Sequence, residues 1–269
     1  MPFISSLEGN YGFEGSGGSS LYPFTTFTFT SAGVTGRFGP TLAQLRTSYS
    51  SAPWAADSAF FDVIILGIQR WTVPASGNYR IEVNGAQGGA SAQGGGLGAR
   101  MIGTISLSGG SIVQILVGQM GGYGTTGGGG GGSFVVTAAN QPIIVAGGGG
   151  GADSTAHTLA TANKPGTTAA SGNAGTNGNT NVATSVGGTG GGGGGTSTQY
   201  EMAGAGGGGL TGNGADARPI SGYVPARGGL SFTNGGVGGI PSGSGGLGGF
   251  GGGGGADWYY WTGGGGGGG

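Results

Sequence analysis

Residues 127–151 read GGGGGGSFVVTAANQPIIVAGGGGG and contain the two kinds of segment that make up most of this chain. Residues 133–136 and 142–145 are short runs rich in β-branched and aromatic side chains, and Asn140-Gln141 lies between them. This pattern predicts a pair of β-strands joined by a turn. Glycine runs at 127–132 and 147–151 lie on either side of the pair. The stretch therefore predicts a β-rich fold interrupted by glycine-rich segments.

Further strand signals precede this stretch. Residues 24–30 alternate between aromatic residues and threonine after the first three positions, and residues 79–83 alternate between apolar and charged side chains. Such alternation is typical of strands that are buried on one face. We predict a hairpin from residues 102–107 and 112–117, which a Ser/Gly turn joins. Several short strands at this spacing indicate a β-sandwich or a barrel, and we favour the sandwich.

One short helix and two core tryptophans are also predicted. Thr41 follows Pro40 and precedes a helical pattern over residues 41–46, so it is the expected N-cap. Trp71 is predicted to lie in the core, and Trp54 is predicted to cover an edge of the sandwich.

The overall composition argues against several classes of partner. Of 269 residues, 78 are glycine, only 6% are charged, and the net charge is −1. The eight basic residues are scattered, so we expect neither nucleic acid nor an anionic membrane surface as a partner. The chain contains no cysteine, which rules out disulfides and thiolate metal sites. The longest apolar run, 63–68, is too short to cross a bilayer, so no membrane insertion is expected.

Composition divides the chain into three regions. Residues 1–24 are predicted to form an irregular leader that attaches the chain to a larger particle. Residues 25–146 are predicted to form the β-sandwich with a first glycine insert, and residues 147–269 form the glycine-rich region. Glycine runs are common in flexible linkers, but they can also form extended polyproline-II-type helices that hydrogen-bond to one another. The residue types alone leave both interpretations open. Because the sequence stops within a glycine run, we expect the natural chain to continue beyond Gly269.

Several motifs occur in an order that is typical of a known family. They are FTFTSAGVTGRFGPT (27–41), GIQRWTVPA (67–75), GAQGG (85–89), ILVGQ (115–119) and IIVAGGGGG (143–151). In this order they resemble the glycine-rich extracellular domain of the anaplastic lymphoma kinase receptor, over about residues 25–269. Similar modules occur in glycine-rich phage and viral fibre or adhesin proteins. The chain lacks cysteines, a membrane span and a kinase, which favours the viral relatives.

The resemblance carries expectations about fold and assembly. It implies a mainly β fold, a jelly-roll sandwich similar to tumour necrosis factor, that carries a bundle of polyglycine-II helices. It also makes a homotrimer an expected assembly.

The sequence shows no pattern of catalytic residues. The single histidine, His157, lies in a polar loop sequence without a nucleophile motif, and Asp57 and Asp62 are interpreted as solvated turn residues. Residues 243–248 match G-x-G-x-x-G, but this match is expected by chance in a chain so rich in glycine. We therefore predict that the protein is not an enzyme and has no cofactor or metal.

The cluster Trp258, Tyr259, Tyr260 and Trp261 is the best candidate for a contact with a partner. Tyrosine and tryptophan dominate binding hot spots and stack on sugar rings. The alternative is that these rings close the end of the bundle or pack on the sandwich.

The function expected from these observations is that of a virion surface structural protein. It would be a fibre, tail-tip or capsid-surface component that is made in the host cytoplasm, binds other virion proteins and contacts a host receptor or glycan. Two alternatives stay open: a purely architectural capsid or fibre protein, and a cellular extracellular ligand-binding or matrix domain.

Overall fold

The structure is a computed structural model, and it describes part of the chain. The described residues are 5–9, for the backbone only, and 20–92, 94–153, 165–169, 173, 186–196, 204–219, 222, 224–257, 265 and 268–269.

The described part of the chain is mainly β, with two antiparallel sheets and little helix. One sheet has the order β2-β1-β5-β6 and the other has the order β3-β4-β7-β8-β9. The strands are β1 (Ser5–Gly9), β2 (Thr26–Phe29), β3 (Phe61–Ile65), β4 (Ile68–Thr72), β5 (Gly77–Asn84), β6 (Arg100–Leu107), β7 (Ile112–Leu116), β8 (Ser133–Thr137) and β9 (Pro142–Ala146). The helices are α1 (Leu42–Ser48) and two 3-10 turns, Pro53–Ala56 and Phe232–Asn234.

The two sheets share one hydrophobic core, an arrangement consistent with the predicted β-sandwich. Alternate residues of β5 and β7 point into it, because successive side chains of a strand face opposite sides of the sheet. Trp71 lies in this core and is fully buried, as predicted. The core includes Phe29, Tyr79, Ile81 and Val83 from the first sheet and Phe61, Trp71, Val113, Ile115, Val135 and Ile144 from the second.

The second sheet is covered on its other face as well. Phe232 and Phe250, which come from the glycine-rich part of the chain, pack on Ile68, Leu116, Phe134 and Val136. Residues 133–136 of β8 are therefore all buried, which explains why SFVV shows no polar alternation.

Helix α1 begins where the sequence predicts. The Thr41 hydroxyl accepts from Gln44 N at 3.3 Å, and Gln44 Oε1 accepts from Thr41 N at 2.8 Å, which completes a capping box. Leu45 is the buried residue of the helix. Trp54 is 8% exposed and lies within an aromatic cluster with Tyr22, Phe24, Phe27 and Phe29.

Two predictions about the strands are wrong. Strands β6 and β7 do not pair as a hairpin, because β6 pairs with β5 in one sheet and β7 with β4 and β8 in the other. The turn between them carries the chain across the sandwich, and Val73 N donates to Ser111 O there. The leader is not irregular throughout either, because β1 lies between β2 and β5. The predicted pairing of residues 133–136 with 142–145 is confirmed by β8 and β9.

Strands β5, β7 and β9 end, and strands β6 and β8 begin, next to glycine-rich segments at the same end of the sandwich. Pairing of Ser133 with Ala146, and of Asn84 with Arg100, places these strand ends side by side. We call the glycine-rich segments together the glycine array, and we call its end beside the strands proximal and the opposite end distal. The array comprises segments 85–91, 94–99, 118–132, 147–153, 186–196, 204–217 and 225–257 with residues 265, 268 and 269.

Candidate functional site

The centre of the glycine array is the run 127–132, which is completely buried. Its amides donate in turn to segments 147–152, 118–122 and 251–254, and the same order then repeats. The bonds run from Gly127, Gly128, Gly129, Gly130, Gly131 and Gly132 to the carbonyls of Ala152, Gly122, Gly254, Gly149, Gln119 and Gly251, at 2.7 to 3.0 Å.

The carbonyls of residues 126–131 accept hydrogen bonds with the same period. Their donors lie in segment 244–250, at Gly265 and Gly268, and in segment 85–91. The donors to Thr126, Gly127, Gly128, Gly129, Gly130 and Gly131 are the amides of Gly246, Gly265, Gly89, Gly249, Gly268 and Ala86. Five segments, together with Gly265 and Gly268, therefore surround residues 127–132, and all of these contacts are backbone hydrogen bonds.

Side chains are excluded from the centre of the array. A Cβ atom added to Gly127, Gly128 or Gly131 would overlap the carbonyl oxygen of Gly89, Leu247 or Phe250. Segments 85–91 and 118–132 precede residue 146 and segments 147–153 and 244–254 follow it, so both predicted regions contribute to the array. Glycine is required here because the backbones approach too closely for any side chain.

Thr125, Thr126, Ser244, Asp257 and Gly265 lie at the distal end of the array. Thr125 N donates to Ser244 O at 3.0 Å, and the Thr126 hydroxyl donates to the Asp257 carbonyl. Gly265 N donates to Gly127 O at 3.1 Å. Asp257 and Gly265 are therefore both fixed at the distal end.

The candidate contact residues Trp258, Tyr259, Tyr260 and Trp261 lie outside the described residues, as does His157. Asp257 and Gly265 flank the aromatic cluster in sequence. The Asp257 carbonyl accepts from the Thr126 hydroxyl, and Gly265 N donates to Gly127 O. The prediction that the cluster contacts a partner stays a prediction.

The structure does not bring the other candidate residues together. Asp57 lies in a turn, where its Oδ1 accepts from Ala59 N at 2.9 Å, as predicted. Asp62 instead lies in β3 opposite Arg70, so its interpretation as a turn residue is wrong. Gly243 has a φ of 51° and begins a turn within the array, so its motif lacks the following helix of a nucleotide site.

A cluster of ion pairs lies on the outer face of the first sheet. Arg100 Nε is 2.6 Å from Glu82 Oε1, and Arg80 is 3.5 Å from the other carboxylate oxygen. The hydrogen bond from Arg100 and both positive charges lower the pKa of Glu82. Within the array, Arg227 pairs with Asp216 at 2.6 Å.

A polar cluster is buried where α1 meets the second sheet. Tyr49 Oη donates to Gln69 Oε1 at 2.8 Å and accepts from Thr30 N at 2.7 Å. Gln69 Nε2 donates to Thr30 O at 3.0 Å. Burial raises the pKa of Tyr49 to about 12, so this phenol stays neutral and structural.

Sequence reasoning missed a set of exposed apolar side chains on the array. Met120 and Tyr123 project from one segment, Leu247 from its neighbour and Ile240 from the next. Met120 and Tyr123 are three residues apart and are both exposed. A spacing of three between bulky residues inside glycine-rich sequence is the signal that indicates such a surface.

Two classes of site are absent from the part of the chain that the structure describes. No group of three His, Asp or Glu side chains there is close enough to hold a metal ion. No helix in the same ranges is long and apolar enough to cross a membrane. No protein-family model matches this sequence.

Proposed function

We propose that this chain is a non-enzymatic virion surface protein, a fibre, tail-tip or capsid-surface component that presents a rigid glycine-rich module for attachment to a host. The observation that carries the proposal is the central run 127–132, which five segments together with Gly265 and Gly268 enclose through backbone hydrogen bonds. Such a centre has no chemically reactive group. It is suited to holding the loops at the distal end in fixed positions.

We further propose that the segments of the array are polyglycine-II helices on a jelly-roll sandwich similar to tumour necrosis factor. A polyproline-II-type helix has three residues per turn and no internal hydrogen bonds. Its amides would point in three directions, one after another, and the repeat of bonding partners along residues 127–132 supports this assignment. The two antiparallel sheets and their shared core support the sandwich assignment.

The host-binding contacts in this proposal lie at the distal end, with Trp258, Tyr259, Tyr260 and Trp261 as the first residues to test. The positions of Asp257 and Gly265 support this choice, because both residues are hydrogen-bonded at the distal end and they flank the four rings in sequence. The partner would be a host surface protein or a glycan, since aromatic rings bind both.

Two measurements test the proposal. Immunogold electron microscopy of the source material should place the chain on virions, with gold at fibre ends or projecting tips. The purified chain should bind intact host cells, and Trp258→Ala with Trp261→Ala should weaken that binding. Ile102→Ala, at a residue 46% exposed on the first sheet, is the matched control. Gold on cells with no particles labelled would overturn the proposal.

A purely architectural role is the second candidate. It is favoured by the continuous backbone bonding of the array, which needs no exposed binding residue to be useful. Binding of the purified chain to particles but not to host cells, together with even labelling along a shaft or capsid, would favour this role.

A further inference from the structure

Strand β6 forms an outer edge of the first sheet. It pairs with β5 along its whole length, Arg100–Leu107, without a register shift, and no second strand pairs with it in the described part of the chain. An antiparallel strand bonds one neighbour through every second residue, so its remaining backbone groups point to the other side. The free side of β6 is therefore lined by main-chain donors and acceptors.

The bonding just before β6 identifies the residues whose backbone groups point outward. Gly85 N donates to Ala99 O at 2.8 Å, so within β6 the odd-numbered residues are the ones that bond to β5. The amides and carbonyls that point away from β5 belong to Ile102, Thr104 and Ser106. None of these six groups has a hydrogen-bond partner among the residues that the structure describes.

The outer edge of the second sheet at β3 is protected, in contrast. Phe61 N donates to Asp57 O at 2.9 Å. Val63 N donates to Asp62 Oδ1 at 2.8 Å, and the register with β4 shifts between Val63 and Ile65. Occupied amides and bulges of this kind block a sheet edge, because an open edge pairs with other chains.

The remaining outer strands are shorter than β6. Strand β9 begins with Pro142, which has no amide hydrogen, and β2 has four residues. Strand β6 has eight residues, no proline and one charged side chain, Arg100 at its first position. Main-chain donors and acceptors that alternate along a strand are matched by the backbone of another extended strand. The occupant of this edge is therefore a β-strand.

The two faces of β6 set the side chains that this strand can carry. Met101, Ile105 and Leu107 pack against the core of the sandwich but are only half-buried. Gly103 lies between them on the same face. An added strand would cover these positions, so its residues on this face must be apolar or small, and a bulky residue fits best opposite Gly103.

We propose that β6 pairs with β6 of a second copy of this chain, antiparallel about a two-fold axis at Thr104. In this register Thr104 lies opposite itself and Ile102 lies opposite Ser106. The outward amides and carbonyls of the two copies then form six backbone hydrogen bonds. A two-fold contact uses the same element on both subunits and closes on itself, and here it joins the first sheets of two copies into one continuous sheet.

The sequence of β6 is complementary to itself in this register. On the inner face, Gly103 lies opposite Ile105 of the second copy, so the glycine leaves room for the isoleucine. Met101 lies opposite Leu107, which places two apolar side chains together. Arg100 lies beyond the paired outward residues, so no like charges face each other across the contact.

The dimer does not depend on the proposed attachment to a host. Strand β6 begins beside the glycine array, and the two copies of β6 run in opposite directions, so the two arrays project from opposite ends of the dimer. Each array keeps its distal end free. Loss of the dimer and loss of host binding are therefore separate outcomes.

Residue-resolved hydrogen exchange of the full chain at low and high protein concentration tests this assignment without any substitution. The amides of residues 102, 104 and 106 should exchange several-fold more slowly at high concentration. The amides of residues 101, 103 and 105 already bond to β5 and should change far less. Val63, whose amide lies at the protected edge of β3, is the internal control and should not change.

Sedimentation equilibrium over a concentration series measures the affinity. We expect a monomer–dimer equilibrium. Thr104→Pro removes two of the six hydrogen bonds and should raise the dissociation constant by about thirtyfold, since each bond contributes a factor of about five. Proline is tolerated at an edge position whose amide faces solvent, so circular dichroism should show unchanged folding. Thr104→Val keeps the amide and is the matched control.

A cross-link identifies the two-fold axis. The chain has no cysteine, and directly opposite Cα atoms of a hydrogen-bonded pair lie ~5.5 Å apart, which a disulfide can span. Thr104→Cys should therefore give a disulfide-linked dimer under mild oxidation. Asn78→Cys should not, because Asn78 is equally exposed but lies on β5, one strand further from the contact.

Three results would overturn the proposal. The first is a wild-type chain that stays monomeric at every concentration. The second is a dimer or trimer whose dissociation constant Thr104→Pro and Thr104→Val change equally. The third is exchange at residues 102, 104 and 106 that does not depend on protein concentration.

Discussion

Replacing Gly131 by alanine tests whether close backbone contact holds the array together. Gly131 donates to Gln119 O and accepts from Ala86 N, both at 2.9 Å. A Cβ at this position would overlap the carbonyl oxygen of Phe250, which itself accepts from Gln119 N at 2.8 Å. The new methyl group can be accommodated only if the Phe250 carbonyl is displaced and Gly131 shifts relative to segments 118–122 and 85–91, which breaks these three hydrogen bonds.

The expected loss of stability follows from these contacts. Three backbone hydrogen bonds contribute about 3 kcal/mol, since each is worth ~1 kcal/mol net. Overpacking of a close-packed interior adds ~1–3 kcal/mol, and the reduced entropy of the unfolded alanine chain offsets ~0.4–1 kcal/mol. We expect Gly131→Ala to lower the free energy of unfolding by about 4 kcal/mol, a large part of the ~5–15 kcal/mol typical of a domain.

Gly94→Ala is the matched control for this experiment. Gly94 belongs to the same array, but the nearest atom to an added Cβ is Gln87 Nε2 at 4.0 Å. Neither Gly131 nor Gly94 has a positive φ, so backbone strain does not distinguish the two substitutions. We expect Gly94→Ala to be neutral or to stabilise by ~0.4–1 kcal/mol.

Denaturant unfolding followed by circular dichroism and tryptophan fluorescence measures both variants. The midpoint for Gly131→Ala should fall well below that of the wild type, and its melting temperature should drop by about 10 °C, since 1 kcal/mol corresponds to ~2–4 °C in a domain of this size. Equal midpoints for Gly131→Ala and Gly94→Ala would refute the close packing of the array.

Three further predictions concern the sandwich. The pKa of Tyr49 is raised from 10.0 to about 12. Only the unfolded chain ionises this phenol between pH 10 and 12, so the free energy of unfolding should fall as the pH rises through this range. The denaturation midpoint of Tyr49→Phe should depend less on pH across the same range. Thr41→Ala removes the side-chain half of the capping box with Gln44 and should cost ~1 kcal/mol in denaturant unfolding. Glu82→Gln removes the ion pair with Arg100. Because the pKa of Glu82 is lowered, the ion pair should stabilise the wild type slightly at neutral pH, and this contribution should be lost on acidification or in high salt. A stability difference from wild type that salt leaves unchanged would contradict this reading of Glu82.

Local patterns predicted the positions of most strands of the sandwich. The alternation of residues 24–30 and the apolar runs that became β8 and β9 require only neighbouring residues for their interpretation. The N-cap at Thr41 is a local signal of the same kind.

Strand pairing depended on contacts that are distant in sequence. A Ser/Gly turn at 108–111 is compatible both with a hairpin and with a connection between two sheets. The outcome is decided by Ile105 and Ile115, which pack on the same core from opposite sheets. Local turn chemistry does not contain this information.

The candidate surfaces were predictable only in part. The aromatic cluster 258–261 is recognisable from residue types alone, whereas Tyr123 and Leu247 share a surface only because Gly122 N bonds to Leu247 O. Glycine segments have no side chains to distinguish one neighbour from another. Their pairing is therefore set by the lengths of the strands and turns that connect them.

The threefold bonding of residues 127–132 makes the array sensitive to residue number in a way that ordinary loops are not. One residue inserted into this run would turn every later amide by about a third of a turn, towards the wrong neighbour, whereas three inserted residues would restore the direction. A turn at the distal end, such as the one that contains Gly243, lies outside this run and carries no such constraint. Such turns can therefore change in length and sequence during evolution while the hydrogen-bond pairing of residues 127–132 stays the same.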